Sequence, residues 1–334
     1  MKNKKYEITF LGKTLYTDHY YTLSKNECNK IRQGYYKKPE LELVEQNLRN
    51  IYNFKQNVSC IMDYYLRELI DKVTLYSAKW SIEEVLKCDD LIRYFYSRMK
   101  SNQKVYPEYY SDIKNFKTSL RISGGGVVMK ASNFPIQTVD QILKKYNINN
   151  NFYDFSCGWG IRMLSSLRNE VNYYGTDPNH ILIKKLKNIH KKYDKVNNTN
   201  TFIDIRCMGS EEYVKEWKNK FGLIFSSPPY FILEDYKLGN QSIKNKNYDE
   251  WLELYLLPTI KNCKKYLING GYLLVNIKNI LDYDLYDDTK NIIKGLDLKY
   301  IGYKKLKNIK RPSVKENINT DEKIMIFQKI VILN

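Results

Sequence analysis

Seven residues, Phe225-Ser226-Ser227-Pro228-Pro229-Tyr230-Phe231, combine hydroxyls, two rigid prolines and aromatic rings. They continue the apolar run Gly222-Leu223-Ile224-Phe225, which reads as the end of a buried strand. Proline has no N–H for a sheet ladder, so two in succession stop the strand. Each proline also drives the residue before it into extended backbone. The expected product is a stiff loop at a strand's carboxyl end, the edge of an open α/β sheet where ligands bind. An ordinary proline turn has the same local signature, so the case for chemistry rests on the rest of the chain. Three further strand ends supply it. Asp154-Phe155-Ser156-Cys157-Gly158-Trp159-Gly160 closes one strand and opens a helix. Its glycines allow a tight turn and a close approach to a ligand beside a helix amino end. The next strand ends in Tyr174-Gly175-Thr176-Asp177-Pro178-Asn179, and an acid in that place can accept both hydroxyls of a ribose. The third is followed by Cys207-Met208-Gly209-Ser210. Four successive strands thus end in ligand-contacting groups.

These groups need a sheet to hold them. From residue 151 the pattern alternates, with strands expected at 151–155, 171–175, 201–205, 221–225, 271–277, 297–304 and 323–332. Helices are expected at 160–169, 179–193, 210–218, 248–266 and 284–294. The alternation predicts a parallel sheet with helices on both faces. The last two strands lack a helical crossover and read as an antiparallel hairpin finishing the sheet, joined by the basic stretch 304–322. Residues 39–121 read as helical, opened by Pro39 and carrying the capping box Ser81-Ile82-Glu83-Glu84, with a last helix at 109–120. A small hairpin around Gly12 precedes them. The composition changes at Ser123-Gly124-Gly125-Gly126. Two domains are therefore expected: a mainly helical region over 1–122, and an α/β domain over 123–334.

The 334 residues suffice for one large or two modest cores. A formal charge of +18 favours a polyanionic partner, although a Lys-, Asn-, Ile- and Tyr-rich composition is also what an AT-rich coding genome yields. The six scattered cysteines form no Cys-x-x-Cys pair, and with three histidines they argue against a zinc site and for a reduced, cytoplasmic setting. No run of about 18 apolar residues predicts a membrane span, and the first residues do not read as a signal peptide.

Ser227-Pro228-Pro229-Tyr230 resembles the (Asp/Asn/Ser)-Pro-Pro-(Tyr/Phe/Trp) motif of the DNA amino-methyltransferases. The 154–160 loop resembles their Asp-Pro-Phe-x-Gly-x-Gly loop, which binds S-adenosylmethionine. Phe155 stands where proline is frequent, and Trp159 is bulky enough to crowd the methionine end of the cofactor. The resemblance extends from about Ser123 onward, and is to phage-encoded methylases of the N4-cytosine/N6-adenine type above all. It implies a Rossmann-like seven-stranded class I methyltransferase sheet, with S-adenosylmethionine bound by Asp154, Ser156, Gly158, Gly160, Asp177, Pro178 and Met208. The usual acid beside the adenine is missing at Met208. Asn133, Phe134 and Pro135, within the segment that begins at Lys130, are expected to close over the methionine moiety.

The same resemblance implies the chemistry of the Ser-Pro-Pro-Tyr loop. An exocyclic amino group is a poor nucleophile because its lone pair is delocalised into the ring. Ser227 and the Pro228 carbonyl would accept its two N–H bonds and free the lone pair, Pro229 would stiffen the loop, and Tyr230 would stack on a base flipped out of double-stranded DNA. Cys157 and Cys207 then read as packing residues. Serine in the first position leans toward cytosine N4 over adenine N6. Recognition of the DNA falls to the amino-terminal region or to the stretch 234–246, where Asn240 and Gln241 could read adenine edges, a disordered lid with no readout being the other reading of that stretch. Three alternatives stay open: an RNA or a protein-glutamine methyltransferase on the same fold, and an inactive nucleic-acid-binding protein. Oligomeric state is not fixed by any of these residues.

Overall fold

A computed structural model describes residues 6–18, 20–52, 58–103, 116, 120, 127–128, 133–237, 241, 247–306 and 322–330. The expected domain boundary at 123–126, most of the helix at 109–120, residues 130–132, Asn240 and most of the stretch 304–322 lie outside them. The chain forms two compact units: Met1–Val44, Ser59–Ser132 and Glu234–Lys237 make the first, and Glu45–Val58, Asn133–Leu233 and Leu238–Asn334 the second.

The first unit opens with a hairpin of Tyr6–Phe10 (β1) and Lys13–Thr17 (β2). Leu11 and Gly12 both have positive φ, 50° and 69°, as a two-residue turn matched to strand twist requires. The helix Lys25–Tyr36 follows, ahead of the range 39–121 in which helices were expected; Ser24 and Glu27 open it with a reciprocal capping box. The expected box at Ser81 and Glu84 opens Ile82–Lys87. Trp80, Leu91, Ile92 and Phe95 lie in the core of this unit. A two-residue strand, Thr74–Leu75 (β3), pairs antiparallel with Glu234–Asp235 (β8).

The second unit is built on seven strands. Their spatial order is Leu298–Lys305 (β10), Lys323–Lys329 (β11), Leu267–Ile277 (β9), Phe221–Ser226 (β7), Asn151–Asp154 (β4), Asn172–Thr176 (β5) and Ile203–Arg206 (β6). The five strands from β9 to β6 run parallel, while β11 is antiparallel to both its neighbours. This is the Rossmann-like methyltransferase sheet expected from the sequence. The chain leaves β4 toward β5 and β6, then returns to lay β7 on the other side of β4. That reversal puts a topological switch point, where ligand crevices open, between the carboxyl ends of β4 and β7.

Two details differ from expectation. The helix predicted at 210–218 is reduced to one 3₁₀ turn, Lys215–Trp217, because only Val214 and Trp217 among residues 211–218 have a core to enter. Residues 248–266 are helical throughout, but Leu252–Leu256 take the wider π form just before Pro258. A π turn relieves the clash and the missing hydrogen bond that proline brings to a helix. The core beneath the sheet packs Tyr153 against Phe221, Trp217 and Tyr266, with ring centroids 5.2 to 5.6 Å apart. Among the described residues no helix is long and apolar enough to cross a membrane.

Candidate active site

The loop after β4 is organised by Asp154, whose side chain is fully buried. Its carboxylate accepts from Arg162 Nε at 2.8 Å, Tyr173 Oη at 2.9 Å, Ser226 Oγ at 2.7 Å and the Ser156 N–H at 3.3 Å. A carboxylate offers about four acceptor positions, and this network occupies them. Asp154 therefore binds the loop to β5, to β7 and to the following helix, Ile161–Arg168. Arg162, nearly buried itself, also donates to the Ser156 carbonyl and, at 3.4 Å, to Ser226 Oγ. Gly160 caps that helix with φ 77°; a Cβ there would lie 2.5 Å from Leu186 Cδ2 on the neighbouring helix His180–Asn197. Gly158 has φ 49°, and a notional Cβ there would make ordinary contacts, 3.8 Å from both Arg162 Nη2 and the Ser156 carbonyl. Both glycines are thus required by backbone conformation, and Gly160 by packing as well. Ser156 and Trp159 are half-buried beside them.

Asp177 follows β5. Its carboxylate accepts the Asn179 N–H at 3.0 Å and the Gly158 N–H, so it also fastens the glycine loop. Burial raises its pKa to about 7 against those two N–H groups, which pull it down, and the Asp154 charge adds to the rise. Part of the residue still reaches solvent. Pro178 is exposed, and Met208 after β6 is half-buried against the core. The Glu211 carboxylate folds back over Gly209, close enough to meet a Cβ placed there. Burial raises its pKa as well. No motif pointed to this acid, which stands three residues beyond Met208.

The 227–230 loop leaves the carboxyl end of β7. Pro228 is buried, while Ser227, Pro229 and Tyr230 are half-buried. Phe231 turns the chain with φ 43°, its N–H bonded to the Pro229 carbonyl at 3.0 Å. A positive φ at a bulky residue is strained. The ring of Phe231 is held in the core against Tyr248, Trp251 and Tyr283. Phe134, just before the helix Ile136–Tyr146, meets the edge of Phe225 at 5.6 Å, and Pro135 caps that helix; Asn133 is exposed. The loop's other neighbours are Asn276 on β9 and Glu322 before β11. The Asn276 amide nitrogen, with two N–H bonds to give, lies 2.7 Å from Glu322 Oε1, 3.0 Å from Ser227 Oγ and 3.1 Å from Tyr230 Oη, so two of these oxygens share one proton.

The glycine loop, Asp177 and the 227–230 loop accordingly share one edge of the sheet, the first and last tied together by the Asp154–Ser226 bond. This edge presents a carboxylate together with hydroxyl and carbonyl oxygens. Gly158 leaves the turn beside the helix amino end without a side chain, Asp177 offers a carboxylate, and Ser227 and Pro228 offer oxygens. Sequence reasoning missed Asn276, Glu322, Arg162, Gly175 and Phe231. A Cβ on Gly175 would lie 2.5 Å from Cys157 Sγ. Cys157 is a buried packing residue as expected, but Cys207 is exposed and, among the described residues, bonds to the Pro178 carbonyl alone, at 3.6 Å. Among the described residues no group of three or more His, Cys, Asp or Glu could hold a metal.

A sequence model of a DNA methylase family matches residues 221–330, from β7 through β11. No curated protein matches the sequence. Solved structures similar to it include a SAM-dependent O-methyltransferase from Thermotoga maritima, at 10% identity and TM-score 0.42 over 61% of this chain and 68% of that one. Another is the N-methyltransferase NodS from Bradyrhizobium japonicum, at 10% identity and TM-score 0.40 over 59% and 94%. A third is a TehB-like SAM-dependent methyltransferase from Corynebacterium glutamicum, at 14% identity and TM-score 0.39 over 58% and 86%.

Proposed function

We propose that the protein methylates the exocyclic amino group of a base in DNA, with cytosine N4 favoured over adenine N6. The methyltransferase sheet and the matched family imply S-adenosylmethionine as the cofactor. The reading is carried by the Ser-Pro-Pro-Tyr loop standing at the end of β7, next to the glycine loop of β4 and within the segment that matches the DNA methylase family.

When bound, the cofactor supplies a methyl group activated on a sulfonium. The chain's own residues do the rest. Gly158, Gly160 and Ser156 line the turn beside the helix amino end, Asp177 takes the ribose hydroxyls, and Pro178 and Met208 flank the adenine. Asn133, Phe134 and Pro135 cover the methionine side. Ser227 Oγ and the Pro228 carbonyl accept the two amino N–H bonds, drawing the nitrogen toward tetrahedral geometry and its lone pair out of the ring. Tyr230 takes the face of the flipped base. Positioning, rather than a strong base, is the main demand of such a transfer.

A polyanionic substrate also fits the surface. Lys184, Lys187, Lys191 and Lys195 are all exposed on the helix His180–Asn197. Their spacing of three, four and four residues makes a single stripe, suited to phosphates. Sequence readout is assigned to the amino-terminal unit or to the chain after the active loop.

The test is methyl transfer from labelled S-adenosylmethionine to DNA, RNA and protein in parallel, with nuclease controls. Label in DNA, recovered as N4-methylcytosine, is the expected result. Label confined to RNA or protein overturns it. Expression in a methylation-free host with long-read sequencing then reads the base and its context.

A further inference from the structure

Asn276 lies near the carboxyl end of β9 and is 1% exposed. Its amide nitrogen faces three oxygens: Glu322 Oε1 at 2.7 Å, Ser227 Oγ at 3.0 Å and Tyr230 Oη at 3.1 Å. The Tyr230 hydroxyl in turn lies 3.1 Å from both the main-chain carbonyl oxygen of Asn276 and Glu322 Oε1. Asn276 stands opposite Ile324 on β11, two residues beyond Glu322. The sheet itself thus brings the amide and the carboxylate together behind the loop.

Glu322 decides which way the amide points. An ionised carboxylate only accepts, so turning the amide over would set Asn276 Oδ1 against Glu322 Oε1 at contact distance. The observed orientation holds although it leaves Asn276 Oδ1 buried without a hydrogen-bond partner among the described residues, which is itself unfavourable. An amide nitrogen only donates. Ser227 Oγ is therefore the acceptor in its bond with Asn276, and its own proton goes to neither Asn276 nor Glu322 through that bond. Among the described residues, one lone pair and one proton of the hydroxyl remain for a substrate.

We propose that Asn276, oriented by Glu322, is a positioning residue that sets the Ser227 hydroxyl to accept from the target amino group and to donate to the unprotonated ring nitrogen beside it. The substrate half of this inference rests on the amino-methyltransferase reading. Cytosine N4 with N3, and adenine N6 with N1, both present that donor–acceptor pair. A carboxylate in the place of Ser227 would offer acceptors alone. The amide cannot pass a proton from Ser227 to Glu322, since its nitrogen has no lone pair to receive one, so the role of Glu322 is orientation.

The experiment compares Glu322→Gln, Glu322→Ala and Asn276→Leu with the wild-type chain. Glutamine keeps an acceptor toward Asn276, so Glu322→Gln retains most of the wild-type kcat. Glu322→Ala and Asn276→Leu lower kcat on the order of 10- to 100-fold, the scale of a misplaced reacting group, with cofactor affinity and melting temperature little changed. A DNA duplex whose ring nitrogen beside the amino group is replaced by C–H is a poor substrate for the wild-type protein. Glu322→Ala loses that discrimination. Equal discrimination in both, full kcat in Glu322→Ala, or a Glu322→Gln variant as impaired as Glu322→Ala overturns the proposal. Nuclear magnetic resonance of the Asn276 side-chain amide adds a readout independent of turnover. Its protons are expected to be shifted and slow to exchange in the wild type and Glu322→Gln, but not in Glu322→Ala. An unchanged amide signal in Glu322→Ala also overturns the orienting role. No methyl transfer to DNA with the amide signature intact sinks the substrate reading and leaves the orienting role standing.

Discussion

The Ser226 hydroxyl donates to Asp154 over 2.7 Å, across the carboxyl ends of two adjacent parallel strands. One side of that bond is the glycine loop and the other is the residue before Ser227. Ser226→Ala leaves Asp154 Oδ1, in a fully buried side chain, with only the longer bond from Ser156. The expected cost is about 1–3 kcal/mol of stability, the penalty of an under-satisfied buried acceptor. Arg162→Met removes the charged partner of Asp154 and should cost more, about 3–5 kcal/mol. Denaturant unfolding checks both, and an unchanged Ser226→Ala midpoint would show that the two loops are not held by this bond.

Gly175 and Cys157 pack too closely to admit a side chain at position 175. A Cβ at Gly175 would fall 2.5 Å from Cys157 Sγ and 3.0 Å from Tyr173 Cε1. Gly175→Ala is expected to destabilise by about 1–3 kcal/mol, as overpacking does. Adding Cys157→Ala removes the nearest atom and should recover part of the loss. A double-mutant cycle with strictly additive effects would refute the contact.

How much of this was legible in the sequence can be argued strand by strand. The run 324–327 is apolar at every position and buried on both faces, whereas β10 alternates buried or half-buried with exposed residues. A continuous apolar run belongs inside a sheet and an alternating one at its edge. The insertion of the last strand between β9 and β10 was therefore written in the pattern, though the hairpin reading alone did not order the strands. The Ser24–Glu27 box was equally readable. Asn276 and Glu322 were not. They stand 46 residues apart, neither belongs to a local motif, and only the antiparallel register of β11 on β9 makes them neighbours. The 210–218 helix failed for the opposite reason: its local propensity was sound, but most of its residues had no core to face.

Asp177 gives a pH dependence of two opposite signs. Its folded pKa, about 7, lies above the ordinary 3.8 because of burial. The folded state thus holds a proton that the unfolded chain has released. This group's contribution to stability is complete below pH 3.8 and is lost as pH rises toward 7. Binding a ribose diol requires the ionised carboxylate, so cofactor affinity should rise over the same window and level off above it. Calorimetry with S-adenosylhomocysteine, paired with melting curves, checks the two trends. Asp177→Asn should flatten both. A wild-type affinity independent of pH through 7 would remove Asp177 from the ribose site.

The ring and the hydroxyl of Tyr230 should separate in mutants. The ring is assigned to the base face, where aromatic stacking contributes about 1–3 kcal/mol by alanine substitution. That corresponds to roughly 5- to 150-fold in transfer efficiency, since 1.4 kcal/mol is tenfold. Tyr230→Ala is expected to lose this amount in kcat/KM for DNA, with cofactor affinity intact because Asp177 and the glycine loop are unaltered. Tyr230→Phe keeps the ring and removes the bonds to the Asn276 carbonyl and Glu322. Their loss loosens the ring without deleting it, so a decrease of about tenfold or less is expected. Single-turnover transfer with a duplex substrate and with the same target in a mismatch distinguishes the roles. A mismatched base is cheaper to flip, so the mismatch should offset part of a stacking defect in Tyr230→Ala. It should leave a defect in loop geometry as large as before. Equal losses in Tyr230→Ala and Tyr230→Phe, unaffected by the mismatch, would assign Tyr230 to loop anchoring alone.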